Sequence, residues 1–356
     1  MLMKKKGLLL SFAVCALAIM TLCGCGAKEK LKIYLPGEYM SDELIPDFEK
    51  MYNVKVDVEL FDSNEMMYTK VMAGDSYDVL IPSDYMIERL IKEDYLQKID
   101  VTKLDNFGDV TDALKVAPYN GFDPDNSYSV PYFWGSVGIV YNEKNVPSSE
   151  VEAKGFDIMK DTKYAGNIYM YDSERDSFMI AFKALGYSMN TSEESEIMDA
   201  YNWLVELNTT MQPTTVTDEV IDGMAQGRKD LAIVYSGDAA YILSENEDMR
   251  YYTPDCGTNV WVDAMVIPKN AKNPDLAYKF IDYVISYDAA MGNTEAVGYA
   301  SVNKNVLAEV TKEGGLYDGN EAYIPRTGFE KDEVFTDNEF LRKKLSELWI
   351  KVKASN

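Results

Sequence analysis

The chain has 356 residues, 47% apolar and 26% charged, enough core material for two domains. Its formal net charge of −24 repels nucleic acid and anionic lipid and favours cationic solutes. Histidine is absent, which excludes Ser-His-Asp and Cys-His relays and the common zinc sites. No catalytic residue, metal site or cofactor is expected.

Lys4-Lys5-Lys6, an apolar run from Gly7 to Leu22 and Cys23-Gly24-Cys25-Gly26 read as an export signal, too short for a comfortable membrane span. The tetrad Leu22-Cys23-Gly24-Cys25 matches the bacterial lipobox, in which the last Cys carries lipid. Residues 1–24 are therefore expected to be removed, Cys25 to anchor the chain, and 25–30 to act as a tether. Losing three lysines and no acids would take the net charge from −24 to −27. Cys15 and Cys23 leave with the signal, so Cys256 stands alone and no intramolecular disulfide is expected.

Leu31–Tyr34 reads as a first strand, followed by a helix from Ser41, its N-cap, to Tyr52 with Leu44, Ile45, Phe48 and Met51 on one face. Val54, Val56, Val58 and Leu60 alternate along a second strand, and Ser63 opens a helix to about Ala73. Tyr77–Ile81 is a third strand, and Met86–Lys92 a helix. This alternation predicts an α/β sheet with ligand groups at the strand C-termini. Residues 95–127 are rich in loop formers.

Tyr128–Asn142 holds four aromatics and a β-branched run, and Val137–Tyr141 reads as a buried strand. Gly135, Ser136 and Gly138 let its backbone come close to a ligand or another strand. It is expected to leave one lobe, pass the mouth of a cleft and enter a second. Ile168–Tyr171 and Leu231–Tyr235 read as strands. Phe178–Leu185, Glu193–Asn208 and Val220–Gln226 read as helices, as does the segment from Ser236. Asn259–Pro268 is a second candidate crossing strand, and helices follow at Pro274–Ser286 and Asn338–Lys353. Two crossings without a long linker imply lobes built from discontinuous segments, 31–138 with 265–306 and 139–264 with 307–356.

Asp263 sits in an otherwise apolar strand, where a lone carboxylate needs a partner or a wet cleft. Trp261 shares its face by the period of two. An aromatic plane beside a carboxylate suits an alkylammonium, through cation–π contact and a charge-assisted hydrogen bond; a strand end or a lysine pair would equally explain Asp263. Asp172 and Asp176 flank a strand-to-helix turn, where Ser173-Glu174-Arg175-Asp176 also resembles a capping box. Ser83 or Asp84 serves equally as an N-cap or, with Tyr85, as a site group after strand three. Glu38 and Tyr39 follow strand one in the same way, and Tyr235 ends a later strand. Trp134 and Tyr132 are further aromatics at the cleft rim, with Trp134 a secondary contact.

Ser129-Val-Pro-Tyr-Phe-Trp-Gly135 closely resembles the polyamine-binding proteins of bacterial ABC transporters, the spermidine/putrescine-binding lipoprotein family. Further matching segments run in order along nearly the whole mature chain. They include Asp62-Ser-Asn-Glu-Met-Met-Tyr68, Tyr77-Asp-Val-Leu-Ile-Pro-Ser-Asp-Tyr85, Leu96-Gln-Lys-Ile-Asp100, Leu104-Asp-Asn-Phe107, Leu185-Gly-Tyr187 with Asn190-Thr191, Trp261-Val-Asp263, Ile267-Pro-Lys-Asn-Ala-Lys-Asn273 and Gly298-Tyr299.

The resemblance implies a type II periplasmic-binding-protein fold, two α/β lobes of discontinuous segments joined by two crossing strands. By the same resemblance Asp263 grips a terminal ammonium, Trp261 stacks on the ligand chain and Asp176 supplies a second carboxylate. Ser83, Tyr85, Tyr235 and Tyr299 contribute hydroxyls or ring faces. Departures fall at Pro36-Gly37, where Glu38 and Tyr39 remain, and at Ser173, where Asp172 is the acid to hand. Tyr235 replaces a common Trp, and a C-terminal polar contact falls near Phe335 to Asp337. The implied protein is a lipid-anchored, monomeric, extracytoplasmic receptor that captures spermidine or putrescine. It delivers the ligand to a membrane permease driven by an ATPase. Rival readings are a receptor for another cation or ferric ion, a carboxylate-pair glycan hydrolase, and a sensory or adhesin lipoprotein.

Overall fold

The computed structural model describes residues 28–37 and 39–355, so the export signal, Cys25 and Glu38 lie outside the described residues. Strand and helix alternate at the start as the spacing predicts: β1 (Lys30–Pro36), α1 (Leu44–Tyr52), β2 (Lys55–Phe61), α2 (Asn64–Met72), β3 (Val79–Leu80) and α3 (Asp84–Lys92). β1 pairs in parallel with both β2 and β3. Helix α1 buries Leu44 and Phe48, one turn apart. It begins later than predicted: Ser41 Oγ accepts from Glu43 N–H at 3.3 Å in a turn that precedes the helix. Ser63 does cap α2, accepting from Met66 N–H at 3.2 Å. Val58 and Leu60 are exposed despite their alternation, because β2 is the edge of the sheet and only its inner neighbour β1 covers it.

The central element is β4 (Ser129–Asn142), whose fourteen residues are all buried. After it come α4 (Ser148–Lys154), β5 (Ile168–Tyr171), α5 (Glu174–Ala184), α6 (Glu194–Met211), β6 (Thr214–Val216), α7 (Glu219–Ala225), β7 (Leu231–Tyr235) and α8 (Ser236–Glu245). The chain continues through β8 (Met249–Tyr252), β9 (Val260–Val266), α9 (Pro274–Val284), α10 (Tyr287–Val297), β10 (Ala300–Ser301), α11 (Lys304–Thr311) and α12 (Glu339–Lys353). The strands form one sheet in the order β2-β1-β3-β9-β4-β7-β5-β6, with β8 and β10 also on β4.

β4 belongs to both halves of this sheet. Its first part, Ser129 to Ser136, pairs antiparallel with β9, and its second, from Val137, pairs with β7 and then β8. The return crossing lies at Thr258–Asn259: Thr258 Oγ1 donates to Val137 O at 2.6 Å, and Val137 N–H donates to Asn259 O at 3.2 Å. β9 then lies wholly against the first half, so the division expected between 264 and 265 falls inside a strand that does not change partners. Helix α12 packs on α5 and α6 and closes the second half. Buried Lys183 on α5 forms an ion pair with Glu333, whose backbone bonds Thr258 O and Val260 N–H at 2.9 and 2.8 Å, tying the C-terminal segment to the crossing.

The glycines at the crossing serve close approach. A Cβ at Gly135 would strike the Trp261 indole directly across the register, and one at Gly138 would strike the Tyr251 ring. Gly135 thus makes the space in which Trp261 lies.

Candidate functional site

A cavity of about 570 Å³ opens between the two halves of the sheet. Its wall is assembled from strand ends and the turns that follow them, as expected for an α/β sheet: Pro36 and Gly37 after β1, Ser83 to Tyr85 after β3, Ser173 to Asp176 after β5, and Tyr235 and Asp238 after β7. Strand β9 contributes Trp261 and Asp263, and Tyr299 follows α10. Tyr299 is held by the left-handed Gly298 that ends α10, and by Gly237, where a Cβ would collide with its ring.

Aromatic rings form a continuous series through this wall. Tyr171 meets Tyr235 at 5.0 Å between centroids, Tyr235 meets Trp261 at 6.3 Å, Trp261 meets Tyr299 at 5.1 Å and Tyr299 meets Tyr39 at 5.8 Å. All four are edge-to-face contacts, which hold the rings at fixed angles to one another.

Each tyrosine of the series donates its hydroxyl to an acid. Tyr39 bonds Asp263 Oδ2 at 2.6 Å, Tyr235 bonds Asp176 Oδ2 at 2.6 Å, Tyr299 bonds Asp238 Oδ1 at 3.1 Å and Tyr171 bonds Asp218 Oδ1 at 3.2 Å. Asp263 and Asp176 are 8% and 5% exposed, Asp238 is partly exposed and Asp218 is open to solvent. None of the first three forms an ion pair among the described residues, so neutral hydroxyls are their side-chain partners.

Such acids resist ionisation. Burial raises Asp263 and Asp176 above the usual carboxylate range, against the opposing hydrogen bonds from Tyr39 and Ser83 and from Ser173 and Tyr235. Desolvation carries Asp238 up to about 7. The tyrosines move too: burial and the adjoining carboxylates hold Tyr39, Tyr235 and Tyr299 well above the ordinary phenol value, so they remain donors. An arriving cation would find carboxylates that are poorly solvated, oriented by tyrosines and without an ion-pair partner among the described residues.

Ser83 occupies the backbone N-cap position of α3 but makes no side-chain cap; its hydroxyl accepts from Asn64 Nδ2 at 3.0 Å and lies beside Asp263, with which it forms an isolated β-bridge. Asp84 is a strut. Fully buried, it accepts from Tyr85 N–H at 2.6 Å and Val262 N–H at 3.2 Å, pinning the turn after β3 to β9, and burial pushes it up to about 8. Ser173 is the true N-cap of α5, accepting from Asp176 N–H at 3.4 Å, which turns Asp176 inward.

The cleft therefore brings together Asp263, Trp261, Asp176, Tyr85, Ser83, Tyr235, Tyr299 and Tyr39. Asp172 is not with them. Its carboxylate is exposed on the far side of the turn, where it accepts from Trp349 Nε1 at 3.2 Å and pairs with Lys353 at 3.1 Å. Successive residues at the end of a strand point to opposite faces, so Ser173 rather than Asp172 reaches the cleft. Trp134 and Tyr132 are not rim contacts either. Both are buried supports, Trp134 Nε1 donating to Ser301 O at 3.3 Å and Tyr132 hydroxyl to the Tyr39 carbonyl at 2.5 Å. Phe335 lines the cleft with a ring where a polar contact is expected, while Asp337 bonds Glu88 through its backbone.

Sequence reasoning missed Asp238, Tyr171, Asp218 and Arg175. A signal for Asp238 exists: Tyr235-Ser-Gly-Asp238 places an acid in the first helical turn after an aromatic strand end, the arrangement that already singled out Asp176. Among the described residues no group of three or more acidic or cysteine side chains is placed to hold a metal ion, and no helix is long and apolar enough to cross a membrane.

Residues 43–316 match the family described as bacterial extracellular solute-binding protein. The spermidine/putrescine-binding periplasmic protein of Escherichia coli K12 is 32% identical over 286 residues, covering 79% of this chain and 80% of its own. The putrescine-binding periplasmic protein PotF of the same organism is 27% identical over 331 residues, 87% of this chain and 88% of its own. Among solved structures, the spermidine/putrescine ABC transporter substrate-binding protein PotD from Streptococcus pneumoniae matches with a TM-score of 0.76 at 34% identity, covering 92% of this chain and 99% of that one. These relatives are transport-binding proteins of the type II periplasmic fold. With most of its length matched and the fold shared, this chain belongs to the family of bacterial extracellular solute-binding proteins.

Proposed function

We propose that this protein captures a polyamine, putrescine or spermidine, between two lobes and delivers it to an ABC permease. The observation that carries the reading is the set of three cleft acids, Asp176, Asp238 and Asp263, each held by a tyrosine and none by a cation. A diamine offers ammoniums separated by methylenes. The acids answer the charges, and Trp261 with Tyr235 and Tyr299 answers the methylenes with apolar ring surface and a favourable quadrupole. The names of the E. coli and S. pneumoniae relatives point to the same ligand class.

The lobes meet, in this reading, at Ser136–Val137 on the outward crossing and Thr258–Asn259 on the return. Closure about these points would exclude water and strengthen each ion pair, and the permease would reopen the lobes. A monomer anchored by lipid on Cys25, outside the cytoplasmic membrane, fits the lipobox read from the sequence. The protein binds and releases its ligand unchanged, and needs no cofactor.

Titration calorimetry with putrescine and spermidine tests this directly. Saturable binding at micromolar ligand is expected; no heat and no saturation with either would sink the reading. Mass spectrometry of ligand carried through native purification would identify which polyamine the cleft holds.

A further inference from the structure

Outside the cavity wall the two halves of the molecule meet again, beside α3. Residues 333–338 form a strap that runs from the return crossing towards α12. The loop after α5 fastens this strap to the second half: Asn190 Nδ2 donates to Val334 O at 2.9 Å, Asn190 Oδ1 accepts from Thr336 N–H at 3.0 Å, and Met189 N–H donates to Glu333 Oε2 at 3.0 Å. The strap then touches the first half. Glu88 Oε2 accepts from Asp337 N–H at 2.6 Å, and Lys92 Nζ donates to Asp337 O at 3.3 Å. Glu88 and Lys92 are one turn apart on α3 and pair with each other at 2.9 Å, so one helix face holds both backbone groups of a single residue on the opposite half.

A second contact crosses in the same sense. Arg175 on α5 lays its guanidinium 3.6 Å from the centroid of the Tyr85 ring and 3.6 Å from Glu65 Oε1, while the Tyr85 hydroxyl donates to that same oxygen at 3.3 Å. Helix α3 itself moves with the first half, because Asp84 at its start accepts from Val262 N–H on β9 at 3.2 Å. Rotation about Ser136–Val137 and Thr258–Asn259 therefore carries the strap away from α3 and Arg175 away from Tyr85. Each contact is partly open to water, with Lys92 52% exposed, so each is weak alone; they act together because one rotation breaks them all.

We propose that Glu88 and Lys92, gripping the backbone of Asp337, form a latch between the halves that governs how readily the cleft opens. The inference rests on the polyamine reading for its ligand but not for its contacts. None of the three residues lines the cavity, so the latch acts on ligands only through the balance of open and closed forms. A ligand that needs the closed form is weakened by whatever fraction of the protein is open. The latch thus strengthens every ligand by one common factor and selects among none, and its loss appears as faster release.

The test is Glu88→Ala in the full mature chain, compared with the unaltered protein by calorimetry and by stopped-flow release of putrescine and of spermidine. Both ligands are expected to lose about fivefold in affinity, by the same factor and through faster dissociation. Unchanged affinities and rates overturn the proposal, and so does a loss confined to one ligand, which would make α3 part of the ligand contact instead. Should Glu88→Ala fail to fold, Lys92→Gln decides, since it alters an exposed side chain: release of both ligands should quicken by about twofold, and an unmoved rate overturns the latch. Failure of the unaltered protein to bind either polyamine would defeat the reading beneath this one. Small-angle scattering of the ligand-free proteins then decides alone, with a larger radius of gyration for Glu88→Ala supporting the latch and an equal one defeating it.

Discussion

The cleft and the outer surface are both acidic, and they hold their acids in opposite ways. Asp172 and Asp176 show the contrast within one turn. Asp172 faces solvent, pairs with Lys353 and shows no unusual burial, whereas Asp176 turns inward to a single tyrosine hydroxyl. Elsewhere on the surface, Lys344 pairs with Glu194 and Lys351 with Glu347, in exposed contacts of the kind that contribute little. In the cleft, Asp263, Asp176 and Asp238 are desolvated and left with neutral partners. A net charge of −24 describes the whole molecule; the site is the small part of that charge which burial leaves unanswered.

The largest effect expected on this contrast is at Asp263. Asp263→Asn should weaken polyamine binding by more than about 2 kcal/mol in calorimetry, because a buried charge-assisted bond is lost. Its ligand-free melting temperature at pH 8 should hold or rise, since an uncompensated carboxylate has been removed. Unchanged affinity would place the ammonium site elsewhere.

Asp238→Asn should cost about tenfold in affinity, roughly 1.4 kcal/mol, with a smaller loss than Asp263 because Asp238 is less buried. No change would return Asp238 to the class of surface acids.

The same acids make stability depend on pH, and the sign follows from the direction of their shifts. Folded values of Asp263, Asp176 and Asp238 lie above unfolded ones, so their contribution is fully present below the ordinary carboxylate range, about 4, and is lost as pH rises through the folded values, about 7 for Asp238. For these groups the ligand-free protein should lose melting temperature between pH 5 and 8. Bound ammoniums stabilise the ionised forms, so the rise in melting temperature caused by putrescine should grow over the same window, with protons released on binding near pH 7. A ligand-induced shift that is flat with pH would contradict the burial argument.

The smallest effect is at Asp172. Asp172→Asn should change stability by no more than about 1 kcal/mol and leave polyamine affinity where it was. A clear loss of affinity would show that the far side of this turn communicates with the cleft.

Much of the fold was legible because its signals are local. The alternation from Leu31 to Lys92, the crossing strand through Val137–Tyr141 and the apolar strand around Asp263 each announce themselves in a few consecutive residues. Short or small-residue elements did not. α10 is built from Tyr287-Asp-Ala-Ala-Met-Gly-Asn-Thr-Glu-Ala-Val297, which has too few large apolar positions to show a helical period, and it is buried through Ala289, Ala290, Asn293 and Thr294. β6, β8 and β10 owe their existence to partners distant in sequence. The alternation of β2 was real, but exposure depends on the neighbour a strand has, and β2 has one.

The site divides along the same line. Residue types and their order along the chain, read with the family resemblance, were sufficient to select Asp263, Trp261, Asp176, Tyr235 and Tyr299. Their pairing into acid–tyrosine units, the exclusion of Asp172, the inclusion of Asp238 and the seating of Arg175 on Tyr85 required the tertiary structure. The physical reason is that residue identity states what a side chain can ionise or stack with, but desolvation and counter-charge depend on what arrives from elsewhere in the chain. Asp263 meets Tyr39 across 224 positions of sequence, and no local pattern records that meeting.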